Sequence, residues 1–174
     1  MHIHDPTPHL RDPWQIATII AAFAKDKGFD LIFTGMQSQD RSSAQVGVLV
    51  AEQLGYTCAT TVIGFVFDNG SIIARRELEG GIKGVVRLKT PALVTCQLGL
   101  NIPRYPTLPN IMKAKKKEIT NIPLHELLKK EPLAATTKFY PPAKKGGGLV
   151  LEGAVGELVD KVIGILMEKT AVLR

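Results

Sequence analysis

The stretch that decides the fold runs from residue 30 to residue 55 and reads DLIFTGMQSQDRSSAQVGVLVAEQLG. Its first part, from Asp30 to Thr34, is a short apolar run that predicts a buried β-strand. Gly35 then opens a polar loop, and Ser42 with Gln45 three residues later has the spacing of a helix capping box. An apolar stripe at helical spacing follows and ends at Gly55, so the stretch predicts a strand, a loop and a helix.

A second helix is predicted upstream, after a short strand end at Ile3 and His4. Asp12 supplies a capping oxygen, Pro13 stands where no N–H is needed, and Gln15 has the spacing of a capping-box residue. Apolar residues recur at positions 16, 19, 20 and 23, which form one helix face. Strands and helices that alternate in this order favour a parallel sheet covered by helices on both faces.

Beyond residue 57 the pattern changes to antiparallel β-structure. Two runs of β-forming residues, 60–67 and 71–77, flank Asp68-Asn69-Gly70, which is a strong hairpin signal. A break at Gly80-Gly81 leads to a strand at 85–88, and the run from Ala92 to Cys96 is typical of a central strand. The sequence therefore predicts an α/β fold with a mostly parallel sheet and an antiparallel hairpin extension.

The last part of the chain, residues 132–174, is predicted to be an arm that follows a domain of residues 1–131. Prolines at 132, 141 and 142 and the run Gly146-Gly147-Gly148 disfavour regular structure. An amphipathic helix comes next, and its glycine-rich tether permits docking away from the preceding sheet. One stripe of this helix carries Val155, Leu158, Val159, Val162 and Leu166.

The composition excludes several classes of protein. The 174 residues carry 22 Lys+Arg and 16 Asp+Glu, a net charge of +6, with 45% hydrophobic residues, which is globular rather than disordered. No apolar run approaches the roughly 20 residues of a membrane span, and residues 1–5 form no secretory signal. We therefore expect a cytoplasmic protein without direct membrane insertion. Cys58 and Cys96 are predicted to be buried free thiols.

No catalytic or metal site can be assembled from the sequence. The chain lacks a Walker A lysine, a GxGxxG fingerprint and a GxSxG elbow. His2 and His4 share one face of a strand, but no further ligand completes a metal site. We expect no catalytic residues and no metal, and the chain is not expected to be an enzyme by itself.

The first candidate site is the loop and helix start between Gly35 and Val46. A helix N-terminus presents free N–H groups and positive potential, which suits a phosphate. An ordinary capped helix after a polar loop is the competing interpretation. The candidate nucleotide-binding residues are Gly35, Gln37, Arg41, Ser42, Ser43, Ala44, Gln45 and Val46.

The second candidate site lies between Asn101 and Lys117. Three prolines predict a stiff exposed loop over 101–109, and Asn110 is predicted to cap a helix that runs into a lysine cluster. Exposed apolar side chains beside lysines suit an acidic partner protein. A solvated lysine face is one alternative; nucleic acid is not expected, because one aromatic residue lies nearby and Glu118 interrupts the basic run. The candidate recognition residues are Tyr105, Leu108, Pro109, Ile111, Met112, Lys113 and Lys116.

The stretch from Leu100 to Lys117 closely resembles the β subunit of electron-transfer flavoproteins. Shorter stretches match in the same order, namely 30–37, 44–47, 76–81, 146–148 and 151–153. The resemblance implies a Rossmann-like fold of the adenine-nucleotide-binding type. It also implies one subunit of an αβ heterodimer that, in fatty acid β-oxidation, carries electrons from acyl-CoA dehydrogenase-type flavoproteins to a quinone oxidoreductase.

The same resemblance implies cofactors and two binding surfaces. FAD would be shared with the α subunit, and the loop from Gly35 to Val46 would hold AMP or a second FAD. Its phosphate donors would be Ser42, Ser43, Gln45 and the Val46 amide. Residues 96–118 would form the dehydrogenase-recognition loop, with Leu108 entering an apolar pocket of the partner.

Members of this family begin with a further strand and helix layer, whose first loop closes over the adenine. We therefore expect the chain to correspond to the C-terminal portion of a β subunit. Nucleotide binding is expected to be weak or absent unless another chain completes the pocket. An exposed sheet edge or apolar face is expected to drive dimerisation, as a homo-oligomer, or aggregation. A freestanding adenine-nucleotide sensor, based on the loop at 35–47, is the alternative function.

Overall fold

The computed structural model describes residues 1–143 and 146–171. The chain divides into two compact units, Met1–Thr137 and Lys138–Arg174. Residues 144–145 and 172–174 of the predicted arm lie outside the described residues. In chain order the strands and α-helices are β1 (His2–His4), α1 (Pro13–Ala24), β2 (Leu31–Gly35), α2 (Val46–Leu54), β3 (Thr57–Asp68), β4 (Ser71–Glu77), β5 (Lys83–Lys89), β6 (Ala92–Cys96), α3 (Leu108–Lys115), β7 (Asn121–Pro123), α4 (Leu124–Leu127) and α5 (Val155–Lys169).

The main sheet of the first unit has five strands in the order β2-β6-β3-β4-β5. Strands β2, β6 and β3 are parallel, and β3, β4 and β5 are antiparallel. This arrangement confirms the predicted α/β fold with its antiparallel extension. The hairpin turn also forms as predicted, because Asn69 and Gly70 both adopt the left-handed conformation that a tight hairpin requires. Strand β1 pairs outside this sheet, in parallel with β7.

The core is built around the central strand β6, whose residues alternate between the two faces of the sheet. Leu93 packs with Ala17 of α1 and Val50 of α2, whereas Ala92 and Val94 belong to the cluster on the opposite face. The prediction that helices cover both faces is wrong for the described residues, since α1 and α2 share the Leu93 face. The opposite cluster contains residues of the hairpin extension, in which β3 and β5 contact each other across β4. The cluster on the opposite face is therefore formed by side chains of the sheet itself and of Leu100, and no described helix contributes a residue to it.

Strand β2 is an edge strand and not the buried strand that was predicted. The Asp30 carbonyl accepts a hydrogen bond from the Ala92 N–H of β6, so by parallel alternation the backbone N–H and C=O groups of Leu31, Phe33 and Gly35 point away from β6. Phe33 is 48% exposed, and its ring lies 5.2 Å from the Phe65 ring. The described part of the sheet therefore has an apolar open edge, and the homo-oligomer expected from it stays a prediction.

Cys58 and Cys96 are free thiols and are half-buried rather than fully buried. Cys58 packs on the helix face of the sheet and Cys96 on the opposite face, so they do not form a disulfide with each other. Burial raises the pKa of both thiols. They are therefore protonated and weakly nucleophilic at neutral pH.

Asp12 caps α1 as predicted and also holds a distant segment of the chain. Its Oδ1 accepts from the Gln15 N–H at 2.8 Å, and its Oδ2 accepts from the N–H groups of Leu133 at 2.6 Å and Ala134 at 3.0 Å. The predicted capping box is incomplete, because the Gln15 amide donates to the carbonyl of Lys130. The first unit therefore extends beyond residue 131. The functional division there, into a nucleotide-binding domain and a docking arm, stays a prediction.

The Asp12 carboxylate is buried, with 7% of the residue exposed. Burial raises the pKa of Asp12, but the hydrogen bonds that its carboxylate accepts outweigh this effect and leave the pKa below its usual range. Because its pKa is lowered, Asp12 stabilises the folded chain at pH values above the pKa of an unfolded aspartate, which is about 3.9. That contribution is lost as the pH falls through the folded value.

The second unit contains one described helix, α5, which confirms the predicted amphipathic helix. Its apolar stripe is exposed or half-buried, and the docking of this helix on a partner stays a prediction. The structure shows no helix or strand in residues 146–154. No described helix is long and apolar enough to cross a bilayer.

We predict that Asp12→Asn separates the two roles of this carboxylate. Asparagine caps helices as well as aspartate does, but its NH₂ group would face the N–H groups of Leu133 and Ala134 as a further donor. The free energy of unfolding in urea should fall by about 1–3 kcal/mol at neutral pH. The amides of Leu133 and Ala134 should exchange faster with deuterium, whereas the start of α1 should remain protected.

Two variants serve as comparisons for this prediction. Asp12→Ala removes both roles and should lose more stability, and Asp26→Asn removes the same charge from an exposed turn and should leave both measurements unchanged. The stability difference between wild type and Asp12→Asn should shrink below about pH 4, where the carboxylate becomes protonated. Unchanged exchange at Leu133 in Asp12→Asn would show that Oδ2 does not hold the segment.

Candidate functional site

A cavity of about 670 Å³ lies where β2 ends and α2 begins. Its volume is within the range of small-molecule sites, and its position outside the carboxyl ends of parallel strands is where open α/β sheets bind ligands. Three parts of the first unit line it: the end of β2, the loop that leads into α2, and a wall formed by residues between 8 and 20.

Most of the predicted nucleotide-binding residues line this cavity. Those that do so are Gly35, Gln37, Arg41, Ser43, Ala44, Gln45 and Val46. Ser42 does not, because its N–H and its hydroxyl both donate to the carbonyl of Ser38, at 2.9 and 3.3 Å. The phosphate-binding role of the set stays a prediction, and the donors of Ser42 are already used inside the loop.

Helix α2 begins at Val46, so the helix start predicted at Ser42 is wrong. Ser42 and Ala44 have φ angles of 49° and 53°, in the left-handed region, and Gln45 is the N-cap without a side-chain cap bond. The physical reason is local competition: the Ser42 side chain bonds within the turn at Ser38 instead of capping a helix.

The later helix start leaves backbone donors open at the cavity. The first helical hydrogen bond runs from the Leu49 N–H to Gln45, so the N–H groups of Val46, Gly47 and Val48 precede it and have no acceptor in the described structure. Val46, Gly47 and Thr34 line the cavity. The Thr34 Oγ1 is buried and has no hydrogen-bond partner among the described residues. These groups at the positive end of the α2 dipole fit an anionic phosphate.

Gly47 allows this arrangement because it has no side chain. A Cβ atom there would lie 2.5 Å from Thr34 Oγ1 and 2.9 Å from Thr95 Cγ2. Both distances are shorter than van der Waals contact. The first turn of α2 can therefore rest on the ends of β2 and β6 only with glycine at this position.

The two charged residues of the loop are Asp40 and Arg41, and neither is arranged as a phosphate ligand. The Arg41 guanidinium donates to the carbonyls of Pro8, at 3.1 Å, and of Arg11. The hydroxyl of Ser38 donates to Asp40 and lowers the pKa of this exposed carboxyl. Because Asp40 is ionised at neutral pH, a phosphate is favoured at the α2 end of the cavity rather than beside Asp40.

The wall of the cavity between residues 8 and 20 was not predicted as part of the site. It supplies apolar surface that suits the flat face of a heterocycle, and its residues are Pro8, His9, Pro13, Ile16 and Ile20. The spacing of Ile16 and Ile20 predicts one face of a helix, but it does not distinguish a face that packs in the core from one that lines a cavity.

The second candidate site is exposed along its whole length, because every residue from 101 to 121 is exposed. Helix α3 begins at Leu108 with Thr107 as N-cap, so the cap predicted at Asn110 is wrong. The reason is Pro109, which occupies the first turn of the helix, where its missing N–H costs nothing.

Helix α3 presents an apolar face beside its lysines. Leu108, Ile111 and Met112, spaced as neighbours on a helix, are 72%, 39% and 53% exposed. Lys113 in the last turn and Lys116 at the C-cap are exposed as well, and Tyr105 precedes the helix at 95% exposure. We call the exposed residues 105–116 the α3 surface. The prediction that Leu108 and Tyr105 are exposed is confirmed, and the role of the surface in partner recognition stays a prediction.

Comparison with known proteins gives a consistent result. The electron transfer flavoprotein domain family matches residues 1–127. The electron transfer flavoprotein subunit beta of Bacillus subtilis (strain 168) is 35% identical over 166 residues, which cover 93% of this chain and 64% of that protein. The mitochondrial subunit beta of Arabidopsis thaliana is 37% identical over 164 residues, 92% of this chain and 64% of that protein. The Homo sapiens subunit beta is 41% identical over 107 residues, 62% of this chain and 42% of that protein.

These relatives are longer than the matched region. The chain spans 64% of the length of the Bacillus subtilis and Arabidopsis thaliana proteins. The match begins at residue 1 and extends through the cavity and the α3 surface. Both candidate sites therefore lie in the part of the chain that the family comparison covers.

We predict that Gly47→Ala destabilises the first unit, although alanine normally stabilises a helix relative to glycine. The new methyl group would overlap Thr34 Oγ1 and Thr95 Cγ2, so α2 would have to move away from the sheet. The free energy of unfolding in urea should fall by about 1–3 kcal/mol. In a Thr34→Ala background the same substitution should cost less, because one of the two overlapping atoms is absent.

Gly164→Ala is the matched control for this substitution. It makes the same change inside a helix, at a position where a Cβ atom meets nothing within 4 Å. Its effect should be neutral or stabilising by about 0.5–1 kcal/mol. Equal effects of the two substitutions would contradict the close approach at Gly47.

Proposed function

The chain belongs to the electron transfer flavoprotein family, and from this membership we propose that it acts as a β-subunit-like component of an electron-transfer flavoprotein. It would pair with an α subunit as a heterodimer. The pair would carry electrons from acyl-CoA dehydrogenase-type flavoproteins to a quinone oxidoreductase. In this role the chain contributes binding surfaces and no catalytic residues of its own, and a cytoplasmic location stays a prediction.

The exposure of the α3 surface is the observation that carries this proposal. Leu108, Ile111 and Met112 present apolar area to solvent, and such area on a protein surface is typical of a site that a partner covers. The neighbouring lysines would speed encounter with an acidic partner. Pro103 and Pro106 stiffen the preceding loop, which lowers the entropy lost on binding.

The cavity supports a nucleotide-binding role, with AMP or a second FAD as the ligand. The N–H groups of Val46 and Gly47 and the hydroxyl of Thr34 would hold a phosphate, and the apolar wall at Ile16 and Ile20 would face the heterocycle. A flavin, shared with the α subunit, would supply the electron-carrying chemistry when bound. The residues of this chain would bind and orient the nucleotide.

A freestanding adenine-nucleotide sensor is the second candidate function, because the loop from Gly35 to Gly47 lines a cavity at the carboxyl ends of parallel strands, where α/β sheets bind ligands. Calorimetry with AMP, ATP and FAD distinguishes the two. Micromolar affinity of the isolated chain would favour the sensor. Binding that requires an α subunit would favour the flavoprotein component.

We predict that co-expression with an electron-transfer flavoprotein α subunit yields a heterodimer that contains flavin. Size-exclusion chromatography with absorbance detection measures both properties at once. A flavin spectrum that coelutes with both chains supports the proposal. A colourless complex, or the absence of a complex, would contradict it.

We predict that Leu108→Ala weakens binding of this heterodimer to an acyl-CoA dehydrogenase-type flavoprotein. Removal of an anchoring side chain at an interface costs more than about 1–2 kcal/mol, so the dissociation constant should rise about tenfold or more. The free energy of unfolding should change by less than about 0.5 kcal/mol, because the side chain is exposed. Surface plasmon resonance and urea denaturation measure the two quantities.

Leu10→Ala provides the control for this variant. Leu10 is 62% exposed and lies outside residues 96–118, so its truncation should leave the dissociation constant unchanged. If Leu108→Ala binds as tightly as Leu10→Ala, Leu108 is not an anchor of the interface.

A further inference from the structure

We infer that Arg41 is a positioning residue of the cavity, which fixes the separation of its two walls and does not bind the phosphate of the nucleotide. The first wall is the part of the 8–20 wall that precedes α1, namely residues 8–13. The second wall is the loop 36–45, and residues of both line the cavity. The inference rests on the proposed nucleotide-binding role. It concerns a residue that the sequence had placed among the ligands of the phosphate.

The geometry of the Arg41 guanidinium is that of a clamp. Nη2 donates to the Pro8 carbonyl at 3.1 Å, and Nη1 donates to the Arg11 carbonyl. Among the described residues, these are the only hydrogen bonds that join the two walls. A guanidinium suits this task because its donors have a fixed fork geometry, whereas a lysine presents a single flexible charge.

The wall that receives these hydrogen bonds is itself braced. Asp5 accepts from the Thr7 N–H at 2.9 Å and forms an ion pair with Arg11, also at 2.9 Å. The hydrogen bond from Arg11 lowers the pKa of Asp5, so this carboxylate is ionised at neutral pH. The two carbonyls therefore belong to a segment that is held in place independently of the loop.

The loop, in contrast, is shaped by a turn that directs Arg41 toward the wall. The Arg41 N–H donates to Ser38 Oγ, and the Ser42 N–H donates to the Ser38 carbonyl. Ala44 in this loop has a positive φ of 53°. Such a conformation is costly for a residue with a side chain and persists only when neighbouring contacts hold it.

The direction of the guanidinium and the unpaired donors of α2 separate this role from phosphate binding. Both terminal nitrogens of Arg41 are turned toward carbonyls of the opposite wall, which uses two of the five N–H donors of the side chain, whereas the N–H groups of Val46 and Gly47 have no acceptor in the described structure. A phosphate is therefore expected at the start of α2. Loss of Arg41 should widen the cavity and weaken every ligand that contacts both walls, with or without a phosphate.

Binding of AMP and of adenosine to Arg41→Ala tests this inference, because adenosine lacks the phosphate. Calorimetry is performed on the full chain in complex with an electron-transfer flavoprotein α subunit. The affinities for both ligands should fall by a similar factor, about tenfold. Arg41→Lys, which can restore one of the two hydrogen bonds, should give an intermediate loss. Arg87→Ala removes the same charge from an exposed position of β5, outside both candidate sites, and should leave both affinities unchanged.

Hydrogen exchange on the full chain without ligand tests the clamp independently. In Arg41→Ala, amides in 9–11 and 42–44 should exchange faster, while those of β6 should keep wild-type rates. A loss of AMP affinity without a loss of adenosine affinity would assign Arg41 to the phosphate and overturn the inference. Unchanged exchange at both walls would overturn it as well. If the wild-type complex binds neither ligand, the nucleotide site and the role of Arg41 in it are both wrong, even where exchange shows that the clamp exists.

Discussion

The packing of α2 against the ends of β2 and β6, with only Gly47 between them, is the constraint on which the rest of the site depends. It brings the free N–H groups of α2 close to the unpartnered hydroxyl of Thr34. Thr95 also contacts β3, the neighbour of β6 in the sheet, because its Oγ1 accepts a hydrogen bond from the Thr61 N–H at 3.2 Å. Thr61 has a φ of 55°, unusual for a β-branched residue, and sits where the register of β3 shifts.

The two candidate sites depend on different physical properties of the protein, namely close packing in one and exposure in the other. The cavity depends on buried close contacts and on donors that the helix leaves open, so small changes in backbone position alter it. The α3 surface depends on exposure, and its side chains can change with little effect on folding. The carboxylate of Asp12 supports the first unit in a third way, since it joins the start of α1 to the segment at Leu133 within that unit.

Features with local signals were predictable from the sequence, and features set by distant contacts were not. Asn69-Gly70 and the apolar run of β6 determine their structures almost alone, which is why the hairpin and the central strand were predicted. The starts of α2 and α3 were misplaced because a turn at Ser38 and the position of Pro109 outweighed the capping signals. The clamp at Arg41 joins residues 33 apart and the Asp12 hydrogen bond joins residues 121 apart, so neither has a local pattern.

The central claim is that the α3 surface docks on a flavoprotein partner, with the rest of the first unit as its support. Hydrogen exchange of the heterodimer, with and without an acyl-CoA dehydrogenase-type flavoprotein, tests this most directly. The account predicts slower exchange on binding in residues 105–116, with unchanged exchange along the open edge of β2. Protection that appears elsewhere while residues 105–116 exchange as in the free heterodimer would contradict it.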